Sequence, residues 1–311
     1  MIVLPRKSPE RMSYYEVMMR RGNNKEEFTK LYLQAKTGYI GERRLDREWK
    51  ETDVSGLLFH DFTCFNAVGH SHQMDTIFVC KHFVLVVEVK NVAGRIDFNP
   101  QTRQLVRRRE DGTVEAFNNP VDQIKRHRML LEDRFMTLPD YVPVEAAIII
   151  TNPSCIIGHV DDEVPIFVVT GLRTKLMEMV KRHENITLNT RSIKSCLEKL
   201  YQPHTSQHWR KDHATVRTGV LCTICNGKMT LFSRGFKCLR CNSHDTDNLA
   251  LRQTLQDYRI LYGPEISNEQ FRAFAEITSR NTAYAFLARL LPNRKGAGRG
   301  STYLIPEHIH Q

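Results

Sequence analysis

Two short runs rich in Ile, Val and Phe carry the charges that most restrict how this chain can fold: Gln73-Met-Asp75-Thr-Ile-Phe-Val-Cys80 and Phe83-Val-Leu-Val-Val-Glu88-Val-Lys90. β-Branched and aromatic residues at that density predict two buried strands. An Asp, a Glu and a Lys inside such strands would each be expensive to desolvate alone. Antiparallel pairing brings the acids to one edge, where two carboxylates can share a divalent cation. The two-residue period of a strand places Glu88 and Lys90 on the same face. Metal-dependent phosphodiester cleavage requires that layout: carboxylates for a hard cation, and an ammonium to steer water and phosphate.

The surrounding sequence predicts an α/β sandwich. Residues 1–35 read as a charged helical extension, with apolar and charged residues mixed at helical spacing from Glu26 to Leu33. Thr37-Gly38 is expected to break that helix, and Ile40 to Leu45 to begin another. A strand is expected over Leu57–Phe65, then the Asp75 and Glu88 strands, then a hairpin from Gly94–Phe98 and Gln104–Arg107 with a turn signal at Asp111-Gly112. Asn119-Pro120 opens a helix bearing Asp122, Gln123, Arg126 and His127, with Pro suited to the first turn. Val144–Thr151 and Pro165–Val169 are further buried strands, and 170–205 is helical closure. His60, His70 and His72 carry no assigned role, and His127 lies one helical turn beyond Gln123.

These motifs resemble the nuclease-related domain family, a branch of the PD-(D/E)xK, restriction-endonuclease-like nucleases, over roughly residues 36–150. The resemblance rests on Gly41-Glu42, on Asp75 within His72-Gln73-Met74-Asp75, on Glu88-Val89-Lys90, and on Asn119-Pro120 with Gln123. Met74 stands where the superfamily's nominal Pro precedes the Asp. An isolated Glu-x-Lys would read as an ion pair at a sheet edge; four elements in order are a specific signal. The resemblance implies a mixed sheet flanked by helices. It also implies that Glu42, Asp75 and Glu88 hold Mg²⁺ or Mn²⁺, that Lys90 is catalytic, and that Gln123 orients the site. The implied activity is DNA hydrolysis in processing, repair or defence. The alternative is a catalytically silent DNA-binding or DNA-processing accessory protein that keeps the fold.

Beyond the sandwich, Cys222-Thr-Ile-Cys225 and Cys238-Leu-Arg-Cys241 are separated by twelve residues. Two Cys-x-x-Cys pairs at that spacing predict a four-thiolate Zn²⁺ ribbon over 206–250, similar to those at the ends of bacterial topoisomerases. Four thiolates leave no open position, so this zinc would be structural. Gly227 and Gly235 are expected to permit its tight turns. His244 would serve as a ligand only in place of a Cys, and the other four cysteines read as small core residues.

The remaining 251–311 reads as a winged-helix-like domain. A helix capped by Ser267 and a second from Ser279 to Leu291 are followed by a basic, glycine-rich wing. On that likeness Arg280, Asn281 and Tyr284 face a DNA groove, and Arg294, Lys295 and Arg299 line the wing. Charge agrees. The chain carries +10, and from Ser206 onward 15 Lys and Arg oppose 8 Asp and Glu, so +7 lies in the last third. DNA is the expected partner; a homo-oligomer and a DNA-processing protein stay open as others. No apolar run is long enough for a bilayer and no signal-peptide pattern begins the chain, so neither a membrane nor export is expected and the compartment is the cytoplasm. His204–His213 reads as a polar linker at the end of the α/β domain, 36–205.

Overall fold

The computed structural model describes residues 1–311 apart from 100, 161–162, 204–215, 233–234, 297 and 310–311, and Arg299 in its backbone alone. The linker expected at His204–His213 lies outside the described residues. In chain order come β1 (Ile2–Leu4), α1 (Glu10–Arg21), α2 (Lys25–Glu48), β2 (Leu57–Phe65), β3 (Ser71–Val79), β4 (Val84–Lys90), β5 (Gly94–Asn99), β6 (Gln104–Arg108), β7 (Val114–Asn118) and α3 (Pro120–Phe135). β8 (Val144–Ile150), β9 (Cys155–Ile157), β10 (Ile166–Val168), α4 (Leu172–Arg182) and α5 (Thr190–Leu200) follow. The last third holds β11 (Met229–Phe232), β12 (Gly235–Cys238), β13 (His244–Asp245), α6 (Leu249–Tyr262), β14 (Glu265–Ser267), α7 (Asn268–Ala275), α8 (Arg280–Leu290), β15 (Arg294–Lys295) and β16 (Thr302–Leu304).

The chain forms two compact units: Met1–Ser8 with Lys36–Ser206, and Pro9–Ala35 with Gln207–Gln311. The sequence predicts four segments in a row. Its 1–35 extension is instead divided, because β1 pairs in parallel with β2 and so draws the first residues into the first unit.

The first unit is a mixed α/β layer structure. Its six-stranded sheet runs β1-β2-β3-β4-β8-β10. β3 is antiparallel to β2 and β4, whereas β8 lies parallel to β4 and β10. Leu45, Trp49, Leu172 and Leu176 of the flanking helical segments cover one face with Phe78, Leu85 and Val87; Val121, Ile124, Ile193 and Leu197 of α3 and α5 cover the other with Met74, Val84 and Val86. Val84, Leu85, Val86 and Val87 are fully buried, at roughly 1.5–3 kcal/mol per side chain. That surplus lets β4 carry a buried carboxylate at Glu88. A second sheet, β7-β6-β5-β9, continues from the same end, since β5 and β9 follow β4 and β8 and pair in parallel as those strands do.

The expected break at Thr37-Gly38 does not occur, for α2 runs through it from Lys25 to Glu48. Gly38 and Gly41 each cost only about 1 kcal/mol relative to Ala, and the good helix formers Leu33–Lys36 and Glu42–Leu45 lie on either side. Gly41 matters for another reason. A Cβ there would lie 2.5 Å from Asn91 Cβ and 2.6 Å from Thr151 Oγ1, so the glycine lets α2 approach the ends of β4 and β8.

In the second unit one core takes in Tyr14, Val17 and Met18 of α1, Met229 and Phe236 of β11 and β12, and Leu255, Phe271 and Leu287 of α6, α7 and α8. Arg21 is fully buried there. Its guanidinium donates to Asp257 at 2.7 Å and to the Arg217 and Gly219 carbonyls at 3.0 Å, with its Cζ 4.6 Å from the Phe274 ring centre. Ser267 caps α7 in a capping box with Gln270, and Ser279 caps α8. The order α6, β14, α7, α8, β15, β16, with the three strands in one sheet ordered β14-β16-β15, is winged-helix-like.

Candidate functional site

β3 and β4 meet where the sequence places their charges. The Asp75 carboxylate accepts the Val89 N–H at 2.7 Å, which locks the two strands together beside Glu88. Glu88 is 4 % exposed. Its Oε1 accepts from Lys90 Nζ at 2.6 Å, and its Oε2 from Gln123 Nε2 at 3.0 Å. The period of β4 sets the first contact. The second depends on Asn119, whose side chain accepts the Val121 N–H and fixes the start of α3, so that Gln123 faces the strand. Four predicted site residues are thus drawn together: Asp75, Glu88, Lys90 and Gln123.

Burial pushes the Glu88 carboxyl up to about 7; the Asp75 charge adds to the rise, while Lys90 and the Gln123 hydrogen bond oppose it. The two carboxylates repel each other, and a divalent cation held between them would ease that repulsion. The donor set fits a hard cation, since Mg²⁺ commonly takes one or two carboxylates and completes its shell with water and phosphate oxygen.

Glu42, the fifth predicted residue, sits differently. It accepts from Arg6 Nη1 at 2.9 Å. Among the described residues the cysteine cluster is the one group of three or more Cys, His or carboxylate donors gathered closely enough to hold a metal ion, so Glu42 is not gathered into such a group with Asp75 and Glu88. Sequence reading misses Arg6. Its side chain is 1 % exposed, and it also meets Asp46, Asp61, Thr76 and the Asp75 carbonyl. A single Arg after a three-residue strand leaves no local signal of such convergence.

Two histidines join the neighbourhood. His127 is buried on α3, its ring centre 5.4 Å from that of His72, and its Nδ1 has no hydrogen-bond partner among the described residues. Burial, then the positive charge of neighbouring His72, Arg126 and Lys90, lowers it to about 4, so the ring is neutral at neutral pH. His60 is likewise buried and lowered to about 4, and its Nδ1 lies 3.2 Å from Arg6 Nη2.

The four cysteines of the second unit have sulfurs within 4.8 Å of one another. Cys222 and Cys241 are 3.7 Å apart, and Cys225 and Cys238 3.4 Å. A tetrahedral Zn²⁺ with Zn–S near 2.3 Å sets that edge at about 3.8 Å, so the cluster is compatible with a zinc ribbon. Backbone N–H groups of Ile224, Gly227 and Arg240 point at the sulfurs at 3.4 Å. The left-handed turns fall at Asn226 and Asn242, not at Gly227. Gly227 is needed for closeness, since a Cβ would sit 3.2 Å from two of the sulfurs. His244 stands outside the cluster with its ring on Phe232.

In the tail, Arg280, Asn281 and Tyr284 are exposed on α8, and Arg294 and Lys295 on β15. Arg294 Cζ lies 6.0 Å from the Tyr284 ring centre, which joins the helix to the wing. Lys295 pairs with Glu265 at 2.5 Å. The Arg299 side chain lies outside the described residues.

The order of the acidic and lysine motifs, on a mixed sheet backed by helices, defines a nuclease-like α/β domain. Residues 37–151 match the family model described as nuclease-related domain. No curated protein and no solved structure matches the chain. Among the described residues no helix is long and apolar enough to cross a membrane.

Proposed function

We propose that the protein is a divalent-metal-dependent nuclease that hydrolyses DNA. The observation that carries this reading is the buried Glu88 carboxylate, crowded by Asp75 and bonded to Lys90 and Gln123. Asp75 and Glu88 would hold Mg²⁺ or Mn²⁺, with Glu42 contributing from α2. The bound cation would supply Lewis-acid stabilisation of phosphate charge and a more acidic water. Lys90, 29 % exposed in its side chain, is placed to meet a phosphate oxygen and to steer the attacking water. Gln123 holds Glu88 in one rotamer. Cleavage of labelled DNA with and without divalent cation tests the reading.

A pH dependence follows. Glu88 binds a cation only as the carboxylate, so cleavage is expected to rise with pH through about 7. Metal binding competes with the proton, so raising Mn²⁺ should move that acidic limb to lower pH. Rate profiles at two Mn²⁺ concentrations check this. A limb that starts at the ordinary carboxylate value, or does not respond to Mn²⁺, would count against Glu88 as a ligand.

Zinc would be held by Cys222, Cys225, Cys238 and Cys241 as a structural ion. The tail would bind DNA through Arg280, Asn281 and Tyr284 on α8 and through Arg294, Lys295 and Arg299 on the wing. Side chains that neutralise phosphates release counterions, so replacing the three wing cations with Ala should weaken DNA binding. The dependence of log K on log salt should flatten as well, by roughly 0.9 for each phosphate no longer neutralised. Binding titrations at several salt concentrations read both. Unchanged affinity and slope would remove the wing from the DNA interface.

A further inference from the structure

The N-terminal arm of the first unit carries a buried side chain, Arg6, that meets three acids. Arg6 uses all five guanidinium N–H groups. Nε donates to Asp46 at 3.1 Å, and Nη1 to Glu42 at 2.9 Å and Asp61 at 2.7 Å. Nη2 lies 3.1 Å from the Asp75 carbonyl, 3.0 Å from Thr76 Oγ1 and 3.2 Å from His60 Nδ1. Three carboxylates share this one guanidinium, and Asp46 also meets Arg43 Nη1 at 3.5 Å. Arg21 in the second unit shows the simpler solution, meeting a single carboxylate, Asp257, and backbone carbonyls.

The surrounding backbone is shaped to reach this guanidinium. Asp61 lies in the middle of β2 with φ of 50°, a left-handed conformation that non-glycine residues seldom adopt in a strand. Its second oxygen takes the Lys7 N–H at 3.3 Å. β1 carries the arm into place by pairing Ile2 with Leu58 and Leu4 with Phe59. Arg6 therefore ties α2, which bears Glu42, to β3 at the peptide of Asp75.

We propose that Arg6 is a positioning residue of the candidate metal site, anchoring β3 at the Asp75 peptide to α2 at Glu42 so that Asp75 is held in place beside Glu88 to meet one cation. This rests on the reading of Asp75 and Glu88 as ligands. It assigns a role to a residue far from those motifs in sequence, and it makes the first eight residues part of the site. Lysine would not serve: it has three donors on one atom and cannot span several elements as a planar fork does. Groups that orient ligands from behind typically govern metal affinity by roughly 10- to 100-fold.

The test measures Mn²⁺ binding to the full-length, zinc-loaded protein from the loss of the free-ion EPR signal, in wild type, Arg6→Lys, Asp46→Asn and Glu88→Gln. Wild type should bind Mn²⁺, and Glu88→Gln should abolish that binding. Arg6→Lys keeps the charge and should weaken it on the order of 10-fold or more. Asp46→Asn leaves every candidate ligand intact but removes one anchor of the fork, and should weaken it in the same direction. A merely structural Arg6 would lower the melting temperature of both variants while the folded fraction bound Mn²⁺ as wild type does, and that result overturns the proposal. Tighter Mn²⁺ binding in Arg6→Lys would also overturn it, by making Arg6 a competitor of the cation. Wild type that binds no Mn²⁺ at this site would sink the metal-site reading and this inference with it, whereas binding unchanged in both variants sinks this inference alone.

Discussion

Replacing Glu88 with Gln is expected to cut metal-dependent cleavage by roughly 10²–10³-fold or more, the scale on which one charge-stabilising group acts in an active site. The amide has the shape of the carboxylate and can still meet Lys90 or Gln123, but it offers no charge to a cation. The same substitution should stabilise the metal-free fold at alkaline pH. The Glu88 pKa is raised in the folded state, from 4.5 to about 7. The sign follows from linkage. Stability associated with the neutral acid is present below 4.5 and is lost as pH rises through about 7. Thermal melts in EDTA on the acid and alkaline sides of that window should therefore show wild type losing stability across it and Glu88→Gln losing less. Activity down and alkaline stability up is a combination that misfolding cannot produce. A fully active Glu88→Gln protein would remove Glu88 from the chemistry.

The second large effect concerns the cysteines. Purified protein is expected to hold one Zn²⁺ per chain, and Cys222→Ser or Cys241→Ser to lose it. Cys222 and Cys238 are buried in the same core as Tyr14, Leu255 and Phe271, so the damage should not stop at the ribbon. Structural zinc contributes roughly 10–16 kcal/mol to small zinc modules, as much as the whole stability of an ordinary domain. Loss of the ion should therefore abolish the cooperative unfolding transition of the second unit, read by calorimetry beside elemental analysis. Asp75 and Glu88 belong to the other unit, so residual cleavage after zinc loss agrees with a structural ion. Protein purified without chelator and free of zinc would rule the four-thiolate site out.

The sequence reveals whatever repeats at short range. Alternating or continuous apolar runs mark β2, β3, β4 and β8, and the Asn119-Pro120 pair marks the start of α3, because strand period and capping are local properties. The contacts of Glu88 with Lys90 and Gln123 follow from those elements. What escapes depends on distant partners. β1, β9 and β14 have three residues each, too few for a period to register, and each exists because a neighbour supplies its hydrogen bonds. Gly38 resembles a breaker only while its own propensity is weighed without the length of helix on either side. Arg6 is invisible for the same reason that makes it informative: its partners Asp46, Asp61 and Thr76 lie 40, 55 and 70 residues away. The ribbon and the α6–α8 tail read as separate modules, since shared burial of Phe236 and Leu287 in one core leaves no mark in either segment alone.

Cleavage of DNA through a divalent cation at Asp75 and Glu88 is the proposal on which the rest depends. It stands or falls on incubation of the purified protein with end-labelled single-stranded, duplex and branched DNA, in Mg²⁺ or Mn²⁺ and in EDTA. Fragments are expected with either cation, none in EDTA, and recovery when the cation is restored in excess. Intact DNA under every cation condition, with binding that weakens as salt rises, would refute cleavage and mark the protein as a silent DNA binder; cleavage that persists in EDTA would refute the metal site itself.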